Sequence, residues 1–208
     1  MKSLFINTST DKMVVAIVVD DKVEYLCKEN RGRDLSVSLM PTIEEAFSKT
    51  NQKPNDIDTI FVANGPGSFT GIRMGVTVAK TMAWGLHLKV VPLSSLELMA
   101  STNTEKEYVV PLIDARRGYV FAGIYDHNLN VIKEDSYISL EDLRNEIGEK
   151  EVLYVSEDQF AFEVAESDYD ILKIISKHKN DEGINPHQLK PNYLKMTEAE
   201  EKHNEGGK

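Results

Sequence analysis

Residues 59–86 hold the stretch with the most capacity for chemistry. An apolar run, Thr59-Ile60-Phe61-Val62-Ala63, leads into the loop Asn64-Gly65-Pro66-Gly67-Ser68-Phe69-Thr70, and a helical pattern follows from Gly71 to Leu86. Strand, glycine-rich loop and helix is how many α/β proteins build a site at the end of a sheet. Backbone N–H groups at such a helix start can hold an anion. Gly65, Gly67, Ser68 and Thr70 are therefore candidates for a loop close to a nucleotide or another anion. The known registers do not fit. A phosphate-binding P-loop needs a lysine directly after its second glycine. A dinucleotide fingerprint needs G-x-G-x-x-G, and Gly65, Gly67 and Gly71 are one residue too long. Ser68 lacks the glycines two residues away on each side that a nucleophile elbow requires. A tight turn that merely aims a helix is the competing reading. Thr8-Ser9-Thr10 offers a second candidate: a polar hairpin, or a hairpin of N–H groups and hydroxyls that binds phosphate. The motif alone favours the plain hairpin.

Reactive groups are sparse. The histidines, at 87, 127, 178, 187 and 203, form neither H-E-x-x-H nor H-x-x-x-H and read as ordinary surface residues. Cys27 has no base beside it in sequence and reads as a small buried hydrophobe. Asp114 and Asp142 stand alone, as turn residues do. No catalytic residue, metal ligand or cofactor is assigned. A platform with few reagents points to a non-catalytic partner.

Around that stretch the chain reads as an α/β protein. Apolar strands at 4–6, 13–19 and 23–27 with polar turns between them form a β-meander. Leu35, Leu39, Ile43, Ala46 and Phe47 share one helical face, with Asp34 as N-cap. Pro41 lies inside that pattern, so the helix begins there or kinks there. In the 71–86 helix, Gly71, Gly75, Ala79 and Ala83 make a stripe of small side chains, Met74, Val78 and Met82 a second row, Ile72 and Val76 a third. A helix apolar nearly all round is buried nearly all round. Each internal glycine costs about 1 kcal/mol against alanine, so something offsets them. Either this is the central helix of its own domain, or another chain covers part of it.

A strand at 89–92 and a helix from Ser94 to Ala100 follow, and then 101–107 is wholly polar, a candidate domain boundary. A second meander spans 108–113, 119–125 and 131–137. Ser139 and Asp142 cap a helix to about Ile147. Residues 152–155 read as a strand and 159–165 as a helix, while 171–179 is open between the two. Each half opens with a meander, which predicts two similar βββαβα subdomains, 1–102 and 103–195, and a polar, disordered tail over 196–208. The chain has 208 residues and a net charge of −10, which argues against its gripping nucleic acid unaided. One cysteine, no apolar run of membrane length and too short an apolar N-terminus for a signal peptide predict a soluble, cytoplasmic protein.

The nonapeptide Gly65-Pro66-Gly67-Ser68-Phe69-Thr70-Gly71-Ile72-Arg73 closely resembles the signature of the TsaB (YeaZ) family, bacterial partners in threonylcarbamoyladenosine synthesis on tRNA. Residues 4–10 resemble its opening strand and hairpin, 39–43 its first helix with an internal proline, 114–117 its Asp-Ala-Arg turn, and 191–195 its closing P-x-Y-L-R motif. The resemblance covers essentially the whole chain. It implies an actin-like, Hsp70-like ATPase (ASKHA) fold and a non-catalytic scaffold. Such a scaffold binds and activates the catalytic TsaD subunit, helps recruit the TsaE ATPase, and meets tRNA only within the complex. Family members pair with TsaD, and with themselves, through their first two helices, here 35–49 and 71–85. On that resemblance Leu35, Leu39, Ile43, Met74, Gly75, Val78, Ala79 and Met82 are the expected partner contacts. The chain departs from the pattern at three places. Asn7 replaces an Asp that in this fold commonly serves a metal–nucleotide site. Leu35-Ser36-Val37 replaces His-Ser-Glu and adds apolar surface. Lys195 replaces Arg, keeping the charge and losing the bidentate fork. The alternatives are an active enzyme of the same fold, a nucleotide hydrolase or a glycoprotease-like peptidase, or a homodimeric module with an unrelated partner.

Overall fold

Leu4-Phe5-Ile6 is an unbroken apolar run, which a strand can bury only when both faces of its sheet are covered. A computed structural model describes residues 1–195 and places that run at the centre of the first sheet. β1 (Lys2–Asn7) pairs antiparallel with β2 (Lys12–Val19), which pairs with β3 (Lys22–Asn30). On its other side β1 runs parallel to β4 (Thr59–Gly65), and β4 to β5 (Lys89–Ser94). The strand order is β3-β2-β1-β4-β5. The second sheet repeats the plan as β8-β7-β6-β9, from β6 (Tyr108–Asp114), β7 (Tyr119–Asp126), β8 (Val131–Ser139) and β9 (Val152–Val155). Both expected meanders are present.

Alternation along β1 divides the core. Leu4 and Ile6 face a cluster with α1 (Leu35–Thr50) and α2 (Phe69–Leu86). Phe5 faces a cluster between the sheets, built with α3 (Ser95–Ala100), β6, β7 and α5 (Ile171–His178). A third cluster lies under α4 (Leu140–Ile147) on the far side of the second sheet.

Serines cap the N-termini of three helices, Ser94 and Ser139 as expected and Ser68 in addition: Ser68 accepts from the N–H of Gly71, Ser94 from Leu96 and Glu97, and Ser139 from Asp142. Asp34 occupies the N-cap of α1 but makes no side-chain capping bond. α1 is helical from Leu35 through Pro41, so the proline does not start it. Residues 171–178 are helical, capped by Asp170. The helix expected over 159–165 does not form. Phe160, Phe162 and Val164 pack on the third cluster at a period of two, the spacing of an extended segment, and Val155 bridges to Ala165. Among the described residues no helix is long and apolar enough to cross a membrane. The tail expected over 196–208 lies outside the described residues.

One connection crosses back. Residues 184–195 leave the second half and lie along the first. The N–H of Ile184 donates to the carbonyl of Val90, Leu189 is buried in the α1–α2 cluster, and the N–H of Asn192 donates to the carbonyl of Asn64. Lys80 donates to the carbonyl of His187.

Candidate functional site

The β1–β2 hairpin and the β4–α2 loop pack on each other at one wall of a cleft of about 440 Å³ between the two halves. The N–H of Ser68 donates to the carbonyl of Ser9 at 2.7 Å, and the Thr8 hydroxyl to the carbonyl of Gly71 at 2.7 Å. Within the hairpin, the Ser9 N–H and hydroxyl both donate to Asn7 Oδ1, at 2.9 and 2.7 Å. The approach is too close for a side chain. A Cβ on Gly67 would stand 2.2 Å from the carbonyl oxygen of Ser9, one on Gly71 2.0 Å from that of Thr8, and one on Gly75 2.4 Å from Thr8 Oγ1. Gly65, at φ +125°, meets the carbonyl of Asn192 in the same way. The glycine spacing is thus explained by the chain's own backbone. Of the anion candidates, Ser9, Thr10, Gly67 and Ser68 line the cleft. Thr8 and Gly65 are buried behind it, and Thr70 is exposed outside it. The N–H groups of Ser9, Ser68 and Gly71 are all committed inside the protein, the last to Ser68 Oγ.

The electrostatics of the cleft also oppose a phosphate. Asp11, Asp114, Glu157 and Asp158 line it beside only Lys12 and Arg116. Lys12 bridges the halves, its Nζ 3.0 Å from Glu157 and also bonded to Glu166. Burial works against its charge, but the bonds from Glu166 and Glu157 hold the ammonium above its ordinary value. Burial, reinforced by the charges of Asp114 and Asp11, lifts Asp158 above the ordinary carboxylate range, although the N–H of Asp114 donates to it at 2.8 Å. Asn7 is buried with its Oδ1 already accepting twice and Nδ2 unpartnered. These residues do not fit the nucleotide and metal that the fold implies. Among the described residues no three His, Cys, Asp or Glu side chains converge as metal ligands.

The expected partner contacts separate into two groups. Leu35, Leu39, Ile43, Gly75 and Ala79 are buried in the protein's own core, which removes them from any surface. Helical periodicity marks an apolar face but does not say whose atoms cover it. Met74, Val78 and Met82 are half-buried at the edge of that core. The open apolar surface on α1 is Val37, 70% exposed, with Met40, 45% exposed, and Pro41 beside it. The stripe of small residues on α2 faces inward, onto Thr8 and Ile6.

Elsewhere, Cys27 is buried as expected. Asp142 accepts from the hydroxyl of Ser139, the N-cap of α4, and Asp114 accepts from the N–H of Arg116 in a turn. His178 is not a surface residue. Its Nε2 meets the buried carboxylate of Glu97 at 3.0 Å and its Nδ1 meets Asp181 at 2.7 Å, with Lys177 also bonded to Glu97. Sequence offered no sign of this, because Glu97 and His178 are far apart along the chain.

The TsaD family model, described as tRNA N6-adenosine threonylcarbamoyltransferase, matches residues 29–172. A *Bacillus subtilis* relative, tRNA threonylcarbamoyladenosine biosynthesis protein TsaB, is 31% identical over 97% of each chain. The protein of the same name from *Haemophilus influenzae* is 34% identical over 57% of this chain and 51% of its own. Two crystal structures from *Pseudomonas aeruginosa*, YeaZ and a protein with similarity to peptidase YEAZ, superpose with TM-scores of 0.76 and 0.78. Each covers 93% of this chain and 99% of its own, at 21% and 20% identity. The fold, two similar α/β halves, is that of these two structures. The near full-length match in sequence, together with the fold, shows that the chain belongs to the TsaB (YeaZ) family.

Proposed function

We propose that the chain is a non-catalytic subunit of the cytoplasmic machinery that makes threonylcarbamoyladenosine in tRNA. It pairs with a TsaD-like catalytic subunit through the outer faces of α1 and α2. In that pair it activates the catalytic subunit, helps to recruit a TsaE-like ATPase, and meets tRNA. Residues 1–102 carry the pairing surface and 103–195 form the second subdomain. The same surface serves a homodimer when the partner is absent. The observation that carries this reading is the exposed row of Val37, Met40 and Pro41 beside half-buried Met74, Val78 and Met82. Apolar, methionine-bearing surface of this kind is typical of interface cores. The cleft supports the non-catalytic part, since its hairpin donors and Lys12 are engaged within the protein.

The test is co-purification with the TsaD-family subunit of the same organism. Val37→Glu and Met40→Glu place a charge at the surface without entering the core. Each is expected to weaken pairing at least about tenfold, a desolvated charge costing more than 1.4 kcal/mol. A variant that stays folded and pairs as the parent does would place the interface elsewhere.

A further inference from the structure

Three exposed aromatic rings lie on or next to the cleft lining: Phe69 lines it, Tyr193 stacks on Phe69, and Tyr119 stacks on Tyr137, which packs on the lining Phe121. Phe69, Tyr119 and Tyr193 are 46, 41 and 40% exposed. On the first half, Phe69 stacks on Tyr193 with centroids 5.5 Å apart, and the Arg73 guanidinium carbon lies 3.8 Å from the Phe69 ring centroid. Arg73 Nε–H donates to the Tyr193 hydroxyl at 2.7 Å, which fixes the guanidinium in place. On the second half, Tyr119 stacks on Tyr137 at 4.8 Å and 11°, and Lys195 Nζ sits 4.8 Å from the Tyr137 centroid. Phe121 tilts against Tyr137 and, with Phe69 and Arg116, lines the cleft. Each wall thus carries a stacked ring pair with one cation over it, on a chain whose net charge is −10. The cleft lining also carries the carboxylates of Asp11, Asp114 and Asp158.

Flat exposed rings beside fixed cations match the two repeating parts of an unpaired nucleic acid strand, the base and the phosphate. We propose that this rim seats an unpaired stretch of RNA. Bases stack on the open faces of the Phe69–Tyr193 and Tyr119–Tyr137 pairs, and phosphates lie along Arg73, Arg116 and Lys195. The lining carboxylates repel phosphate and accept hydrogen bonds from base amino groups, so a strand turns its bases to the cleft and its backbone away from it. Net charge argues against a grip on a duplex, whereas stacking on a few rings does not depend on it. The inference rests on the reading of the chain as part of a tRNA-modifying assembly and names the place where it meets RNA.

A fluorescein-labelled ten-nucleotide adenosine oligoribonucleotide is titrated with the full chain, alone and paired with the TsaD-family subunit, at low salt. Tyr119→Leu is expected to weaken binding about fivefold or more, the loss of one stacked base, and Arg73→Gln comparably, the loss of a phosphate contact. The unfolding midpoint and co-purification with the partner should stay unchanged. Lys195→Ala, which removes the cation over Tyr137, should weaken binding while both ring pairs stay stacked. No binding by the parent in either form would overturn the rim. So would folded variants that bind like the parent, an equally tight RNA duplex, or competition by free AMP at the oligonucleotide's own concentration. Failure to pair with the TsaD-family subunit would instead sink the scaffold reading, and the rim is then decided by the chain alone.

Discussion

The β1–β2 hairpin and the β6–β7 turn occupy equivalent places in the two halves and face each other across the cleft. The first is held by backbone against backbone, Ser68 N–H on the Ser9 carbonyl and Gly67 and Gly71 against the carbonyls of Ser9 and Thr8, with Gly75 against the Thr8 hydroxyl, and none of the three has room for a Cβ. The second is held by carboxylates. Asp114 accepts from the N–H of Arg116 at 2.9 Å, and Asp158 accepts from the N–H of Asp114 at 2.8 Å. Arg116 and Arg117 there adopt left-handed backbone at φ +69° and +56°, and a Cβ on Gly118 would meet nothing within 4 Å. Duplicated topology therefore does not imply duplicated constraint. The first corner is rigid because atoms fill it, while the second is shaped by polar bonds and stays open to solvent.

Paired substitutions break this comparison most directly. Gly71→Ala should destabilise the protein by about 3 kcal/mol or more, because its Cβ meets backbone that cannot step aside. Gly118→Ala should cost about 1 kcal/mol, the penalty of φ +79° alone. Denaturant midpoints decide it, and equal losses would mean that the first corner yields. Next in size is Lys12→Met, which leaves Glu157, its side chain 13% exposed, without a partner between the halves. A loss of about 2 kcal/mol is expected, and an unchanged midpoint would show that the bridge contributes nothing.

The smallest effect is a pH slope. Burial opposes the charge of His178, but the bonds from Glu97 and Asp181 raise it above its ordinary 6.5. A raised histidine contributes stability that is complete below 6.5 and fades as the pH rises through the folded value. Glu97 resists burial through His178 and Lys177 and sits below its ordinary 4.5, so its contribution is present above 4.5 and fades on acidification. His178→Gln should flatten the decline on the alkaline side. Parallel stability curves for parent and variant would remove His178 from the account.

Most of the architecture was legible in the sequence, because apolar runs, serine caps and paired meanders are local signals. The 159–165 segment was misread for a physical reason: Phe160, Phe162 and Val164 alternate at a strand's period, but beside Ala161 and Ala165 the run is apolar enough to suggest a helix. The site was less legible. Glycines at 67, 71 and 75 signal close approach in any setting, and only the position of Thr8 and Ser9 in space says that the approaching backbone is the chain's own. The inward face of α1 was found by its period, and the outward face, Val37 and Met40, lies in the positions that period skips. The ion pairs of Lys12 and His178 join residues too far apart in sequence for spacing to reveal them.

Residues 184–195 bear on how the protein is made. Leu189 completes the core beneath α1 and α2, and Asn192 closes onto the β4–α2 loop. A ribosome delivers those residues only after the second half has been made. The α2 flank of the first half therefore stays uncovered until residues 184–195 emerge to finish it.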